Sequence, residues 1–343
     1  MIKGCALPPG CRGAEGEGRA HVRALRRLME EAPFEAERAA VSLALFLKGI
    51  TASPWQKVAW SFSRLTGDGF PVEFAFSSAD EAIRYTTEVA GPEVEEERRL
   101  DHALEHLAGL AGLRLSEETD TLFHRIQASR HLRYGAWAGG RHGAGTDRYK
   151  LYVEVPPEGE KEARLFLDTL MEGVPFQSIC ETRLVMIGCE PGSSRIEFYF
   201  RANRPEPWEV SLLMRRVGLT SRVEEFFNLI EDASETSLHR LLSAPPLGFS
   251  IAVTHHGEPG AFSLFMTGGS LFGSDRAIRR RVLELGLQKG WGLKNYALIS
   301  QPLARRTGWN TWHGLFSFVA VFDGPPILQI GLRPPEMSQG TPE

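Results

Sequence analysis

Five times along the chain, two short runs of alternating apolar and polar residues flank a tight turn, and a helical pattern separates each such pair from the next. Pro71–Ser78 and Ile83–Glu88 meet across Ser78-Ala79-Asp80-Glu81. Arg133–Ala138 and Asp147–Val155 are joined by a glycine-rich turn through Gly143-Ala144-Gly145 and closed by Pro156-Pro157. Thr182–Cys189 and Ser194–Arg201 flank Glu190-Pro191-Gly192-Ser193, while Phe249–His255 and Ala261–Thr267 flank His256-Gly257-Glu258-Pro259-Gly260. Gly314–Phe322 and Pro326–Arg333 flank Asp323-Gly324-Pro325. Turns this short impose antiparallel pairing, because a parallel pair needs a helical crossover between its strands.

Helical spacing fills the intervals. It runs over Arg19–Glu31 and Phe34–Lys48, from Val94 to Leu113 (Leu100, Leu104, Leu107, Leu110) and on towards Ser129, over Gly159–Glu172, from Glu206 and Ser221, and over Asp275–Lys289 with Ser274 as N-cap. Each helix-then-hairpin unit of about 50 to 65 residues is too small to bury its apolar face alone, so the units must share a core. The expected class is α+β: ten antiparallel strands with helices covering the apolar face, and the polar face turned inward or to water. Closed on itself, such a sheet is a barrel with a solvent-filled lumen wider than that of eight strands, while an open sheet backed by helices is the alternative. Residues 1–18 read as a flexible leader, 19–334 as one domain and 335–343 as a disordered tail.

With 343 residues, 42% apolar and 24% charged, the chain carries enough material for a large core. A net charge of −4 gives no electrostatic reason to expect nucleic acid as a partner. No window approaches the ~18 apolar residues of a membrane span, and Met1–Gly18 lacks the apolar region of a secretory signal, so the expected location is the cytoplasm. Four cysteines (Cys5, Cys11, Cys180, Cys189) are too few and too irregular for a disulfide framework or a zinc site and read as small buried or loop residues. His255-His256 lies in a turn with no third ligand at metal spacing. Gly139-Gly140-Arg141-His142-Gly143-Ala144-Gly145 lacks the Gly-Lys-Ser/Thr ending of a phosphate loop and joins two strands, which makes it turn chemistry. The acidic run Glu93–Glu97 suits a helix N-terminus. No Asp-Asp-x-x-Asp or Gly-x-Ser-x-Gly motif occurs.

Period-2 alternation sorts the chemistry onto one face. Glu73 and Ala75 oppose Val72, Phe74 and Phe76. Arg148, Lys150, Tyr152 and Glu154 share a face of the fourth strand, Arg195, Glu197, Tyr199 and Arg201 a face of the sixth, and Arg84 joins them from the second. An ordinary solvated outer face accounts for any one of these strands. Two neighbouring hairpins that both repeat basic-x-polar-x-Tyr are harder to account for that way. Burying so many cations without a partner is costly, and an anion such as a diphosphate is the natural occupant.

The stretch Ser63-Arg64-Leu65-Thr66-Gly67-Asp68-Gly69-Phe70-Pro71-Val72-Glu73 resembles the approach to the first barrel strand in the dimethylallyltryptophan synthase family of aromatic prenyltransferases. Arg84 follows Glu73 as that family's first diphosphate-binding arginine follows its glutamate; Lys150-Leu151-Tyr152 is similar to its Lys-x-Tyr strand, and Arg195-x-Glu197-x-Tyr199 to its Arg-x-Lys-x-Tyr strand. The resemblance spans residues 60 to 333 and implies a ten-stranded prenyltransferase (PT, or ABBA) barrel with helices outside. It implies that Arg84, Lys150 and Arg195 bind the diphosphate of an allylic donor, that Tyr152 and Tyr199 shield an allyl cation from water, and that Glu73 accepts the N–H of an indole such as tryptophan or a tryptophan-containing peptide. No metal is then required, the diphosphate being a co-substrate; a closed barrel has no edge strand that demands a partner, so a monomer or weak homodimer is the expectation.

The chain departs from the family pattern in several places. Glu197 stands where a lysine is usual, which lowers diphosphate affinity or shifts the work to Arg148 or Arg201. Phe265 replaces an expected tyrosine on the eighth strand, and Ile327–Leu332, which includes Gln329, has no tyrosine; Trp137 is a candidate to rebuild the shield. Gly331 is expected to enlarge the donor pocket beyond a five-carbon chain. His142 and Glu154 are candidates for the base that removes the final proton. A phenolic acceptor and a non-catalytic barrel that binds a hydrophobic anion are the alternatives.

Overall fold

The computed structural model describes residues 20–128, 130–171, 181–243, 247–254 and 260–335. Ten strands are present: β1 (Val72–Ser77), β2 (Asp80–Glu88), β3 (Ala136–Gly143), β4 (Thr146–Glu154), β5 (Thr182–Cys189), β6 (Arg195–Ala202), β7 (Leu247–Thr254), β8 (Ala261–Thr267), β9 (His313–Val321) and β10 (Ile327–Leu332). Each pairs antiparallel with its neighbours in sequence, and β1 pairs with β10 (Phe74↔Leu332, Ala75↔Gly331), so the sheet closes. The open-sheet alternative is thereby excluded.

The alternation decides which way each side chain points. Val72, Phe74, Phe76, Leu151, Val153, Phe198, Phe200, Phe249, Phe262, Phe316, Phe318, Leu328 and Ile330 are buried beneath the surrounding helices. Burying a large apolar side chain is worth about 1.5–3 kcal/mol, and this layer holds the helices on the barrel. One contact shows how: on Pro33–Phe46, Ser42 accepts the Tyr85 hydroxyl at 2.5 Å and lies 3.1 Å from His142 Nε2.

Several boundaries differ from the sequence expectation for physical reasons. β3 runs through Gly139-Gly140 to Gly143, leaving only Ala144 and Gly145 for the turn. A Cβ on Gly140 would lie 2.5 Å from the Tyr85 ring, and one on Gly139 would lie 3.1 Å from the Tyr152 ring, so these glycines serve close approach rather than a turn. Glu93–Glu97 opens a 3₁₀ turn, Glu96–Arg98, and the helix follows at Arg99–Ala111. The helix at Asp275–Lys289 begins after Ser274 as expected, but the serine side chain makes no capping hydrogen bond. Gly268–Phe272, Lys294–Ile299 and Leu238–Leu242 are short helices that the sequence pattern passed over.

Cys189 is a buried free thiol. Cys5, Cys11, Cys180, His255 and His256, with nearly all of the leader and tail, lie outside the described residues. Among the described residues no helix is long and apolar enough to cross a membrane.

Candidate active site

The lumen is a cavity of about 1050 Å³. Among the described residues, seven cationic side chains and five carboxyls line it, together with Trp137, Tyr152, Tyr199 and Phe265. Ladder rows bring chemistry from distant strands together: Arg84 sits opposite Arg141 and Arg141 opposite Arg148, while Tyr152 opposes Gly188 and Gly188 opposes Glu197.

Glu73, Arg84, Lys150, Arg195, Tyr152 and Tyr199 all face this cavity, as do Arg148, Glu197, Trp137, Phe265 and Gln329. Arg201 is exposed and does not line it, since β6 carries that side chain beyond the cavity wall. Glu154 is buried and outside the lining; it accepts the backbone N–H groups of Arg133 (2.9 Å), Tyr134 (2.8 Å) and Gly135 (2.9 Å). His142 is fully buried on the outer face, bonded to Ser42 and 3.0 Å from Asp147. Both are structural, and neither is placed to take a proton from a lumen ligand.

Glu73 projects from β1 into a notch made by two glycines. A Cβ on Gly314 would lie 2.0 Å from its Oε1, and a Cβ on Gly331 2.7 Å from the same atom. The space at Gly331 is therefore filled by the Glu73 carboxyl and does not enlarge the donor pocket. Burial pushes this carboxyl up to about 8.

Most of the lumen cations are ion-paired. Arg84 donates to Asp80 at 2.6 Å and Arg141 to the same carboxylate at 3.0 Å, which holds Asp80 below the usual carboxylate range against the effect of burial. Arg148 pairs with Glu190 at 3.1 Å. Lys150 pairs with Glu197 and also donates to the Tyr199 hydroxyl at 2.9 Å. Burial alone would lower Lys150, but the Glu197 charge outweighs it and keeps the ammonium protonated; the reciprocal effect, with Ser250 donating at 2.5 Å, holds Glu197 at about 2 despite its burial. Among the described residues Arg195 makes no ion pair.

Tyr152 and Tyr199 lie edge to face with centroids 6.1 Å apart, and Phe265 extends the wall 5.9 Å beyond Tyr199. Trp137 stacks on Tyr134 at 3.9 Å and turns its indole N–H out of the cavity to Glu88 at 3.0 Å. Glu88 is itself buried and paired with Arg99 at 2.8 Å. Gly188, Ser250 and Arg333 belong to the wall and were not singled out from sequence, and Gly139 and Arg141, read from sequence as part of a turn, belong to it as well. The available signal for the glycines was their position on the inward parity of otherwise ordinary strands.

Among the described residues no group of three His, Cys, Asp or Glu side chains is arranged to hold a metal ion. The arrangement can accept a polyanion at the cationic rows and hold a cation between aromatic faces. It can also receive an N–H or O–H donor at Glu73.

A closed barrel of ten antiparallel strands, wrapped in helices and enclosing a charged lumen, is the prenyltransferase barrel. Solved structures of that architecture match almost the whole chain. The 6-dimethylallyltryptophan synthase of Micromonospora olivasterospora, in complex with DMASPP and Trp, is 20% identical; the match covers 91% of this chain and 96% of that one, with a TM-score of 0.70. The 5-dimethylallyltryptophan synthase of Streptomyces coelicolor, also with DMASPP and Trp, is 18% identical over 95% and 98% of the two chains, with a TM-score of 0.73. AnaPT of Neosartorya fischeri is 11% identical over 91% and 92%, with a TM-score of 0.67. No family model matches the chain, and no curated sequence matches it. The chain has the fold of the dimethylallyltryptophan synthases.

Proposed function

We propose that the protein is an aromatic prenyltransferase that moves a prenyl group from an allylic diphosphate to an indole, tryptophan or a tryptophan-containing peptide. One observation carries this reading: Arg84, Lys150 and Arg195 share a single lumen with Tyr152, Tyr199 and a carboxyl, Glu73, seated in its own notch. The DMASPP and Trp bound in the two synthases of the same fold support it.

In this reading the allylic C–O bond breaks heterolytically and its electron pair leaves with the diphosphate. Arg84 and Arg195 meet the growing negative charge, each such donor being worth on the order of 2–4 kcal/mol of barrier. The allyl cation forms between the tyrosine faces, which attract it and exclude water. Glu73 accepts the indole N–H and fixes the ring; a ring carbon attacks the cation, and the proton at that carbon is then lost. The fixed cations serve where a divalent ion would otherwise neutralise diphosphate, so activity persists in chelator. Donor and acceptor are small molecules, and the closed sheet leaves no edge that demands a partner subunit.

A second reading is favoured by the Lys150–Glu197 pair, which takes one cation out of service: a barrel that binds a hydrophobic anion without turning it over. Incubation in EDTA with dimethylallyl or geranyl diphosphate and a panel of tryptophan, cyclic tryptophan dipeptides and phenols separates the readings by mass gain. A prenyl mass on an indole, strongly reduced in Glu73→Gln, is the expected result. A gain on phenols alone moves the acceptor class, and tight donor binding with no product on any acceptor supports the non-catalytic barrel.

A further inference from the structure

The Lys150 ammonium occupies a particular place: 5.1 Å from the centroid of the Tyr152 ring and 5.3 Å from that of Tyr199, with the Tyr199 hydroxyl at 2.9 Å. Its stem reaches there across Gly188, where a Cβ would come within 2.5 Å of Lys150 Cε and 3.1 Å of Nζ. Glu197 receives it, and Ser250 fixes Glu197 from the other side at 2.5 Å. The aromatic seat assigned above to the allyl cation is thus filled at rest by a side-chain cation. The same cation is the one that should meet the diphosphate. The gap at Gly188, the brace at Ser250 and the hydroxyl of Tyr199 distinguish this pair from a solvated surface contact; only 21% of the Lys150 side chain and 15% of that of Glu197 are exposed.

We propose that Glu197 is a competing anion built into the donor site: it holds Lys150 between Tyr152 and Tyr199 at rest, and a diphosphate must draw Lys150 away before an allylic chain can enter that space. The inference rests on the donor reading given above. Lysine suits the exchange, since a compact charge on a flexible four-carbon stem changes partners without rebuilding the wall. An anion that cannot outbid a carboxylate already in contact does not open the seat, so the pair selects for polyanions over singly or doubly charged ones.

The exchange also moves a proton. Glu197 is faced by Lys150 and Tyr152 from β4, by Arg195 and Tyr199 on its own strand and by Ser250 from β7. Once Lys150 turns to the diphosphate, Arg195 is drawn to the same anion and Glu190 remains with Arg148. The Glu197 carboxylate then keeps the Ser250 hydrogen bond but loses the charge that held it ionised, and it takes up a proton.

The test is calorimetric titration of inorganic diphosphate into the wild-type protein and Glu197→Gln at pH 7, in two buffers of different protonation enthalpy. Comparing the two proteins cancels the proton that diphosphate itself exchanges. The expected result is diphosphate affinity at least tenfold higher in Glu197→Gln, with greater proton uptake per diphosphate in the wild type. Equal or weaker binding by the folded variant overturns the inference and leaves the donor reading standing; binding by neither protein overturns the donor reading as well. Should Glu197→Gln fail to fold, Ser250→Ala loosens the brace on Glu197 and is expected to raise diphosphate affinity by a smaller factor. Unchanged affinity there counts against the inference.

Discussion

Replacing Glu73 with glutamine isolates what its buried notch does. Burial lifts this carboxyl from its ordinary value of 4.5 to about 8. One unit corresponds to ~1.4 kcal/mol, so ionising Glu73 in the folded chain costs about 5 kcal/mol more than in the unfolded chain, a ceiling because water enters the lumen. The folded-state value lies above the unfolded one. The stability that goes with the neutral form is therefore complete below pH 4.5 and is lost as pH rises through 8. Glu73→Gln removes that titration, so wild type and variant should unfold at similar urea concentrations at pH 4.5, with the variant pulling ahead towards pH 9. Catalysis should show the opposite slope. If the carboxylate accepts the indole N–H, kcat/KM for the acceptor at saturating donor rises about tenfold per pH unit below 8 and levels off above it. In Glu73→Gln that limb disappears. Parallel stability curves for the two proteins, or an acidic limb that survives in Glu73→Gln, refutes the reasoning.

Two further changes probe the wall. In Gly314→Ala the new Cβ would lie 2.0 Å from Glu73 Oε1, so the carboxyl must leave its notch: acceptor turnover is expected to fall roughly 10²-fold through misplacement while inorganic diphosphate binds as in wild type, measured by prenyl transfer beside calorimetry. Arg99→Leu leaves Glu88 buried without its 2.8 Å partner, and urea unfolding should show a loss of about 3–5 kcal/mol near pH 7, accompanied by a change in Trp137 fluorescence because Glu88 holds that indole.

Much of this architecture could be read before the structure, and the reasons are local. Short Gly, Pro and Asp turns fix antiparallel hairpins, and alternation fixes which face Glu73, Lys150, Tyr152, Glu197 and Tyr199 share. Closure was legible only through the family resemblance and not from the local pattern, because the pairing of Phe74 with Leu332 joins residues at opposite ends of the barrel sequence. The partners of the lumen charges were hidden for the same reason. Arg148 finds Glu190 only after β4 and β5 pair, Lys150 finds Glu197 only once β6 has joined β5 as well, and nothing in the local pattern distinguishes such a carboxylate from a free one. Glu154 shows where alternation overreaches: it sits on the inward parity of β4 at the strand's end, where the chain's return supplies three N–H groups that claim it. His142 looked chemically promising by residue type but falls on the outward parity, against Ser42.

The glycines connect the fold to the chemistry. Tyr152 lies over Gly139, Lys150 and Tyr199 over Gly188, Phe265 over Gly248, and Glu73 over Gly314 and Gly331. A glycine inside a strand sacrifices roughly 0.5–1 kcal/mol relative to alanine, so five such positions are a standing cost to the sheet. What they provide is room for long side chains to lie against the neighbouring strand instead of standing up into the cavity. Apart from Lys150, which its ion pair with Glu197 holds only until a polyanion draws it away, a side chain laid in such a gap has few rotamers open to it and points at a fixed place, which is the condition for electrostatic stabilisation without reorganisation. The sheet therefore gives up stability at the positions where the site needs its charged and aromatic groups held still. A Cβ added at Gly188, Gly314 or Gly331, where it would meet only side-chain atoms of the site, should disturb ligand binding or turnover before it disturbs the barrel.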